Sequence, residues 1–300
     1  MTHVPTTTDF EVVAALPTPF TESGTIDHGA YEAMLGQLDP YLDAALVLGT
    51  TGEFLALSGS ERLELVDAAV GVLGADRVIG QIGSVSVTES LVLAEQVIDR
   101  GVGRIACLTP FYFPFTVGEV GRFFDDLRRE LTGIDLYGYF FAERTGVQLS
   151  ADDVVRMIVD CGLEGAKISG ALTAQLPLIV AGAGRRRVYS GADHDPAGLR
   201  AAGAAGVVSG LSSVAPERYR ELMSLPAGDP REPALRRAIV DLSTTCGRSL
   251  AHLKAGMRAR TGHPWASRIP TTLLDPQAQT EIASLVGRLT AASGDRTPTG

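Results

Sequence analysis

Two patterns of apolar residues alternate along this chain. Short continuous runs recur at Val12–Leu16, Ala45–Leu48, Val78–Ile82, Arg104–Leu108, Leu136–Phe140, Gly165–Ser169, Arg187–Ser190 and Val207–Ser209. They are apolar throughout rather than alternating with polar residues, which is the pattern of strands covered on both faces of a parallel sheet. Between them lie amphipathic stretches of helical period. Ser60–Val72 sets Leu63, Val66, Ala69 and Val70 on one face. Thr88–Asp99 carries Leu91, Ala94, Glu95 and Ile98 at helical spacing, and Glu119–Leu131 is a further amphipathic stretch. Ser150–Cys161 opens on Ser150 with Asp153 three residues on, close to the capping-box pattern that starts a helix.

Strand followed by helix, eight times over about 220 residues, predicts an α/β fold of the (β/α)8 TIM-barrel type. The competing architecture, an open doubly wound sheet, needs a glycine-rich phosphate turn after its first strand. Here that place is taken by Pro17-Thr18-Pro19-Phe20. The pattern changes after the eighth strand. Pro226, Gly228, Asp229 and Pro230 mark a helix–loop signal, and Glu232–Thr261 and Pro276–Leu289 are long and helical. The expected organisation is a barrel over residues 10–225, a C-terminal helical extension over 226–290, and a frayed tail over 291–300.

Composition narrows the class without changing the fold. Of 300 residues, 45% are hydrophobic and 20% charged, enough apolar material for one sizeable core. A formal charge of −9 argues against nucleic acid or an anionic membrane as partner, and leaves room for a small anionic substrate at a locally positive site. No apolar run is long enough to span a bilayer, and Met1–Asp9 lacks the basic and apolar stretches of a signal peptide, so a cytoplasmic protein is expected. Cys107, Cys161 and Cys246 have no motif spacing and read as reduced, buried small hydrophobes.

Barrel enzymes react at the C-terminal ends of their strands. The polar groups placed there are Gly49-Thr50-Thr51-Gly52-Glu53 after the second strand and Thr109-Pro110-Phe111-Tyr112 after the fourth. Tyr139 closes the fifth, with Arg144 just beyond. The sixth carries Lys167, Ser190-Gly191-Ala192-Asp193 ends the seventh, and Ser209-Gly210 ends the eighth. A lysine inside the strand Gly165–Ser169 stands out, because desolvation favours the neutral amine, the form that attacks a carbonyl. On the strand pattern alone, a lysine that snorkels outward or pairs with an acid such as Glu53 is equally acceptable. Schiff-base chemistry also needs a proton shuttle, and Tyr139 on the neighbouring strand can serve. Thr50 and Thr51, bracketed by Gly49 and Gly52, can hold a small anion. The guanidinium fork of Arg144 can hold a second carboxylate.

This set of residues resembles the dihydrodipicolinate synthase/N-acetylneuraminate lyase family of class I aldolases. The likeness runs from Ala15-Leu16-Pro17-Thr18-Pro19-Phe20 through the loop Gly49-Thr50-Thr51-Gly52-Glu53 and Lys167 to Gly206-Val207-Val208-Ser209. It implies that Lys167 forms the Schiff base with a 2-keto acid, pyruvate foremost, and that Thr50 and Thr51 bind its carboxylate. Tyr139 would move protons through Thr50 and through Tyr112, the latter reaching in from a neighbouring subunit. Arg144 would receive the acceptor's carboxylate, and Gly49, Gly191 and Val208 would complete the substrate-binding positions. No cofactor or metal is implied, and a homodimer or homotetramer is.

The sequence departs from the family pattern Tyr-Asn-x-Pro-x-Arg-Thr-Gly, reading Tyr139-Phe140-Phe141-Ala142-Glu143-Arg144-Thr145-Gly146. Phe113 replaces a usual asparagine, Ile168 a common acidic residue, and Gly59 and Arg62 stand where some synthases carry feedback-site histidines. Phe54-Leu55-Ala56-Leu57-Ser58 looks more like 2-keto-3-deoxy acid aldolases and dehydratases. Two other classes compete with less support. One is a metal-dependent barrel enzyme with its foothold at Asp193-His194-Asp195, where His194 and Asp195 otherwise cap the next helix. The other is a non-catalytic keto-acid binder.

Overall fold

A computed structural model describes residues 10–291. Eight parallel strands close in sequence order into one barrel. They are β1 (Glu11–Ala15), β2 (Ala44–Val47), β3 (Val78–Gln81), β4 (Arg104–Leu108), β5 (Asp135–Phe140), β6 (Gly165–Ile168), β7 (Arg187–Ser190) and β8 (Gly206–Ser209). The helices in chain order are α1 (His28–Leu38), α2 (Gly59–Leu73), α3 (Val87–Ile98), α4 (Val117–Glu130), α5 (Ala142–Thr145), α6 (Ala151–Asp160), α7 (Leu176–Ala183), α8 (Pro196–Ala201) and α9 (Pro216–Ser224). A C-terminal helical extension follows, made of α10 (Glu232–Cys246), α11 (Leu250–Thr261) and α12 (Pro276–Ala291). Met1–Asp9 and the expected tail lie outside the described residues, apart from Ala291, which ends α12.

The continuous apolar strands have two destinations. Residues pointing outward, such as Val12, Ala14, Ala45, Val47, Ile105 and Phe140, pack under the helices in the larger core. Residues pointing inward, including Val13, Ala15, Leu46, Ile79, Ala106, Tyr137, Tyr189 and Val208, fill the barrel. Because side chains alternate along a strand, the strands are largely apolar on both faces, with Lys167 the inward side chain of β6.

Local signals fix the helix starts. Ser150 and Asp153 form the full capping box expected from their spacing, and Thr116 with Glu119 and Ser58 with Glu61 form two more. The cap of α3 is Ser86, two residues before the expected start at Thr88. On α2 the buried stripe is Leu65, Val66, Ala69 and Leu73, so Leu63 and Val70 are only half-buried. The long pattern Glu232–Thr261 is two helices. α10 ends at Cys246, Gly247 is its C-cap, and Ser249 caps α11 by accepting the His252 N–H.

The N-terminal pole of the barrel is closed by polar groups. Glu11 Oε2 accepts from Arg104 at 2.9 Å and from the Tyr189 hydroxyl at 2.5 Å, and lies 3.3 Å from Arg187. The opposite, C-terminal pole carries the candidate chemistry. No described helix is long and apolar enough to cross a membrane.

Candidate active site

Register brings Lys167 and Tyr139 together. β5 and β6 pair so that Tyr139 lies beside Lys167, and β6 and β7 place Tyr189 on the other side of Lys167. Lys167 points into the barrel, where with Leu46, Ile79, Ala106, Tyr137, Tyr189 and Val208 it lines a cavity of about 20 Å³. Its residue is 7% exposed, and its Nζ stands 4.0 Å from the centre of the Tyr139 ring. Among the described residues no carboxylate pairs with it. Glu53, the acid that sequence alone allows as its partner, is engaged elsewhere, by Lys254 of α11.

Tyr139 is 1% exposed, and its hydroxyl lies 3.3 Å from Thr50 Oγ1. Burial works against ionising this phenol. The charge of Lys167, with hydrogen bonds to Thr50, Lys167 and Ser169, outweighs burial and holds its pKa below the ordinary value for tyrosine.

The loop that carries Thr50 is held in an unusual shape. It begins after Leu48, at φ 64°, and ends at Glu53, at φ 55°, both left-handed without being glycine. Such residues cost of order 1–3 kcal/mol each and persist only where their surroundings enforce them. The enforcing contacts are visible at both ends. Gln81, buried at the end of β3, donates from Nε2 to the Leu48 carbonyl at 3.0 Å and accepts the Gly83 N–H. Glu53 receives Lys254 Nζ and the backbone N–H groups of Arg268 and Ile269, each of the latter at 3.0 Å. In the middle, Thr18 donates to the Gly52 carbonyl at 2.8 Å, and a Cβ on Gly52 would stand 3.0 Å from the Leu16 carbonyl oxygen.

The remaining expected residues fall at the same pole with different degrees of engagement. Gly49 is buried, and Thr51 is half-buried and packs against Gly210 at the end of β8. Val208 shares the cavity wall with Lys167. Gly191 packs closely on Ser169, whose Oγ would have to move from 2.3 Å to admit a Cβ there, and its N–H donates to the Ile168 carbonyl at 2.7 Å. Arg144 is exposed on the single turn α5, its guanidinium 5.6 Å from the Phe141 ring centre. Phe141 in turn packs against Tyr139 at 6.2 Å. Glu143 does not neutralise Arg144: its carboxylate turns away to accept the Ala171 N–H at 2.6 Å.

Tyr112 is not brought to Thr50 within the chain. It is 86% exposed at φ 76° and packs edge-on against Phe113.

Asp193, His194 and Asp195 diverge. Asp193 accepts from Ser209 Oγ at 2.8 Å, His194 is exposed, and Asp195 alone caps α8, accepting the Gly198 N–H at 3.0 Å while pairing with Arg236. Sequence reasoning missed Ser169, Gln81 and Lys254. A lysine amid the apolar period of α11 was the one signal that could have marked Lys254.

The chain matches the Dihydrodipicolinate synthetase family over residues 10–287. It is 29% identical to a 4-hydroxy-tetrahydrodipicolinate synthase of Hydrogenobaculum sp., over 71% of this chain and 73% of that protein. It is 27% identical to an N-acetylneuraminate lyase of Escherichia coli, over 73% of this chain and 74% of that one. In fold it is similar to a 2-keto-3-deoxygluconate aldolase of Sulfolobus, with a TM-score of 0.82 at 23% identity, covering 94% of this chain and 97% of that one. A family match over nearly all described residues, on a closed eight-stranded barrel, makes this chain a member of the dihydrodipicolinate synthetase family and a lyase of the class I aldolase type.

Proposed function

We propose that the protein forms a Schiff base between Lys167 and pyruvate or a larger 2-keto acid, and catalyses reversible addition of the keto acid's C3 to an aldehyde. The observation that carries this is the buried Lys167 amine, without a carboxylate partner among the described residues, against a tyrosine whose hydroxyl meets Thr50. The amine lone pair adds to the C2 carbonyl, and the carbinolamine loses water to give the imine. Loss of a C3 proton gives the enamine. Its C3 bonds to the aldehyde carbon while the aldehyde oxygen takes a proton, and water then releases the product and restores the amine.

Tyr139 is the group that gives and takes these protons, with Thr50 next in the relay. Thr50 and Thr51 hold the C1 carboxylate, beside Gly49, Gly191 and Val208. Arg144 faces a charged acceptor. Tyr112 completes the relay from a second subunit in a dimer or tetramer, which accounts for its exposure on the single chain.

A second reading changes the substrate and keeps the chemistry. The stretch Phe54-Leu55-Ala56-Leu57-Ser58, directly after the loop of Thr50 and Thr51, resembles that of 2-keto-3-deoxy acid aldolases and dehydratases. That favours a 2-keto-3-deoxy sugar acid, cleaved or dehydrated, over a precursor of lysine.

Enamine formation can be tested without knowing the acceptor. In D₂O the wild-type protein should exchange the methyl protons of pyruvate for deuterium, followed by NMR, and Lys167→Ala should not. Equal exchange in both proteins would refute the assignment of Lys167. A screen of 2-keto-3-deoxy acids against pyruvate plus aldehydes separates the two readings of substrate.

A further inference from the structure

The Glu53 side chain belongs to the loop of Thr50 and Thr51, yet the groups that bind its carboxylate come from the C-terminal extension. Lys254 projects from α11, and the Arg268 and Ile269 N–H groups lie in the segment after it. Both charged side chains are out of water, Lys254 at 2% and Glu53 at 0% exposure. Lys254 Nζ also donates to the Ala266 carbonyl at 2.7 Å and stands 4.7 Å from the centre of the Phe20 ring. The Arg268 guanidinium ties the same segment to the far side of the loop, through the Ala56 carbonyl at 2.9 Å and Glu61 at 2.5 Å.

A buried ion pair is a poor source of net stability, since apolar residues of the same volume often do as well or better. What this pair does supply is a unique geometry. It fixes a left-handed, non-glycine Glu53 three residues after Thr50. With Gln81 holding Leu48, the loop is pinned at both ends, and the pin at Glu53 is reached across about 200 residues of sequence.

We propose that Glu53 and Lys254 are positioning residues of the reaction: the C-terminal extension, through this pair, sets the loop so that the Thr50 hydroxyl meets Tyr139 and Thr51 faces the keto-acid carboxylate. The proposal rests on the Schiff-base reading of Lys167. It makes the extension part of the site through the loop that it holds.

The test compares Lys254→Met with the double variant Glu53→Gln/Lys254→Met. The double variant carries no unpaired buried charge, and the amide oxygen introduced by Glu53→Gln can still accept the Arg268 and Ile269 N–H groups. In both, the KM for pyruvate should rise about 10- to 100-fold, by more than kcat falls, because the loop is displaced while Lys167 is untouched. Borohydride should still trap pyruvate on Lys167 at saturating concentration. Hydrogen exchange should quicken across 49–57 and stay unchanged in the strands. A purely structural pair would lower the melting temperature and leave KM alone. If Lys254→Met does not fold, the neutral double variant decides, and wild-type KM with unchanged exchange over 49–57 overturns the proposal. Failure to trap pyruvate on the wild-type protein would instead overturn the Schiff-base reading.

Discussion

At Tyr139 burial disfavours the ionised phenol, and the Lys167 charge together with hydrogen bonds to Thr50, Lys167 and Ser169 outweighs it. A phenol with a lowered pKa reaches its basic form at a lower pH than the ordinary value near 10. The hydrogen bond from Thr50 favours the ionised form, so removing it must raise the pKa. Thr50→Val is therefore expected to move the ascending limb of the pH–rate profile to higher pH and to lower kcat. Tyr139→Phe should remove that limb and cost about 10²- to 10⁴-fold in kcat. An unshifted limb in Thr50→Val would show that the 3.3 Å contact plays no part in proton transfer. Lys167, Tyr139 and Thr50 were legible in the sequence because each is a polar residue at the predicted end of an apolar run. The Glu53–Lys254 pair was not, because nothing local ties two charges 201 positions apart.

Among the elements, the strands were the most legible. Their runs are largely apolar on both faces, so observed ends differ from expected ones by at most a residue. Helix boundaries depended on caps. Ser150 with Asp153 could be read directly, whereas the break at Gly247 lies inside an apolar period that continues across it. The polar closure at the opposite pole from Lys167 gives a prediction of its own. Glu11 is penalised by burial, but Arg104, Arg187 and the Tyr189 hydroxyl hold its carboxyl below the usual range. Glu11→Ala would leave two arginines facing each other. Since these side chains are about a fifth exposed, a loss of about 2 kcal/mol is expected, with kcat/KM unchanged. A depressed carboxyl stabilises the fold above its unfolded pKa of about 4.3 and ceases to do so as pH falls through its folded value. The difference in melting temperature between wild type and Glu11→Ala should accordingly shrink in acid. A constant difference would assign the effect to packing.

For the whole molecule, the loop after β4 exposes Tyr112 at 86% and Phe113 at 57% on one chain. The proposed relay through a second subunit predicts a dimer or tetramer in sedimentation. It also predicts slower turnover in Tyr112→Phe, and unchanged kinetics in that variant would remove Tyr112 from the mechanism. The central claim is covalent and can be read on the intact protein. Borohydride reduction in the presence of pyruvate should add one reduced pyruvate to the mass of the chain, and peptide mapping should place it on Lys167. A protein that gains no mass with pyruvate or with any 2-keto-3-deoxy acid, or gains it at a lysine other than Lys167, would contradict the account.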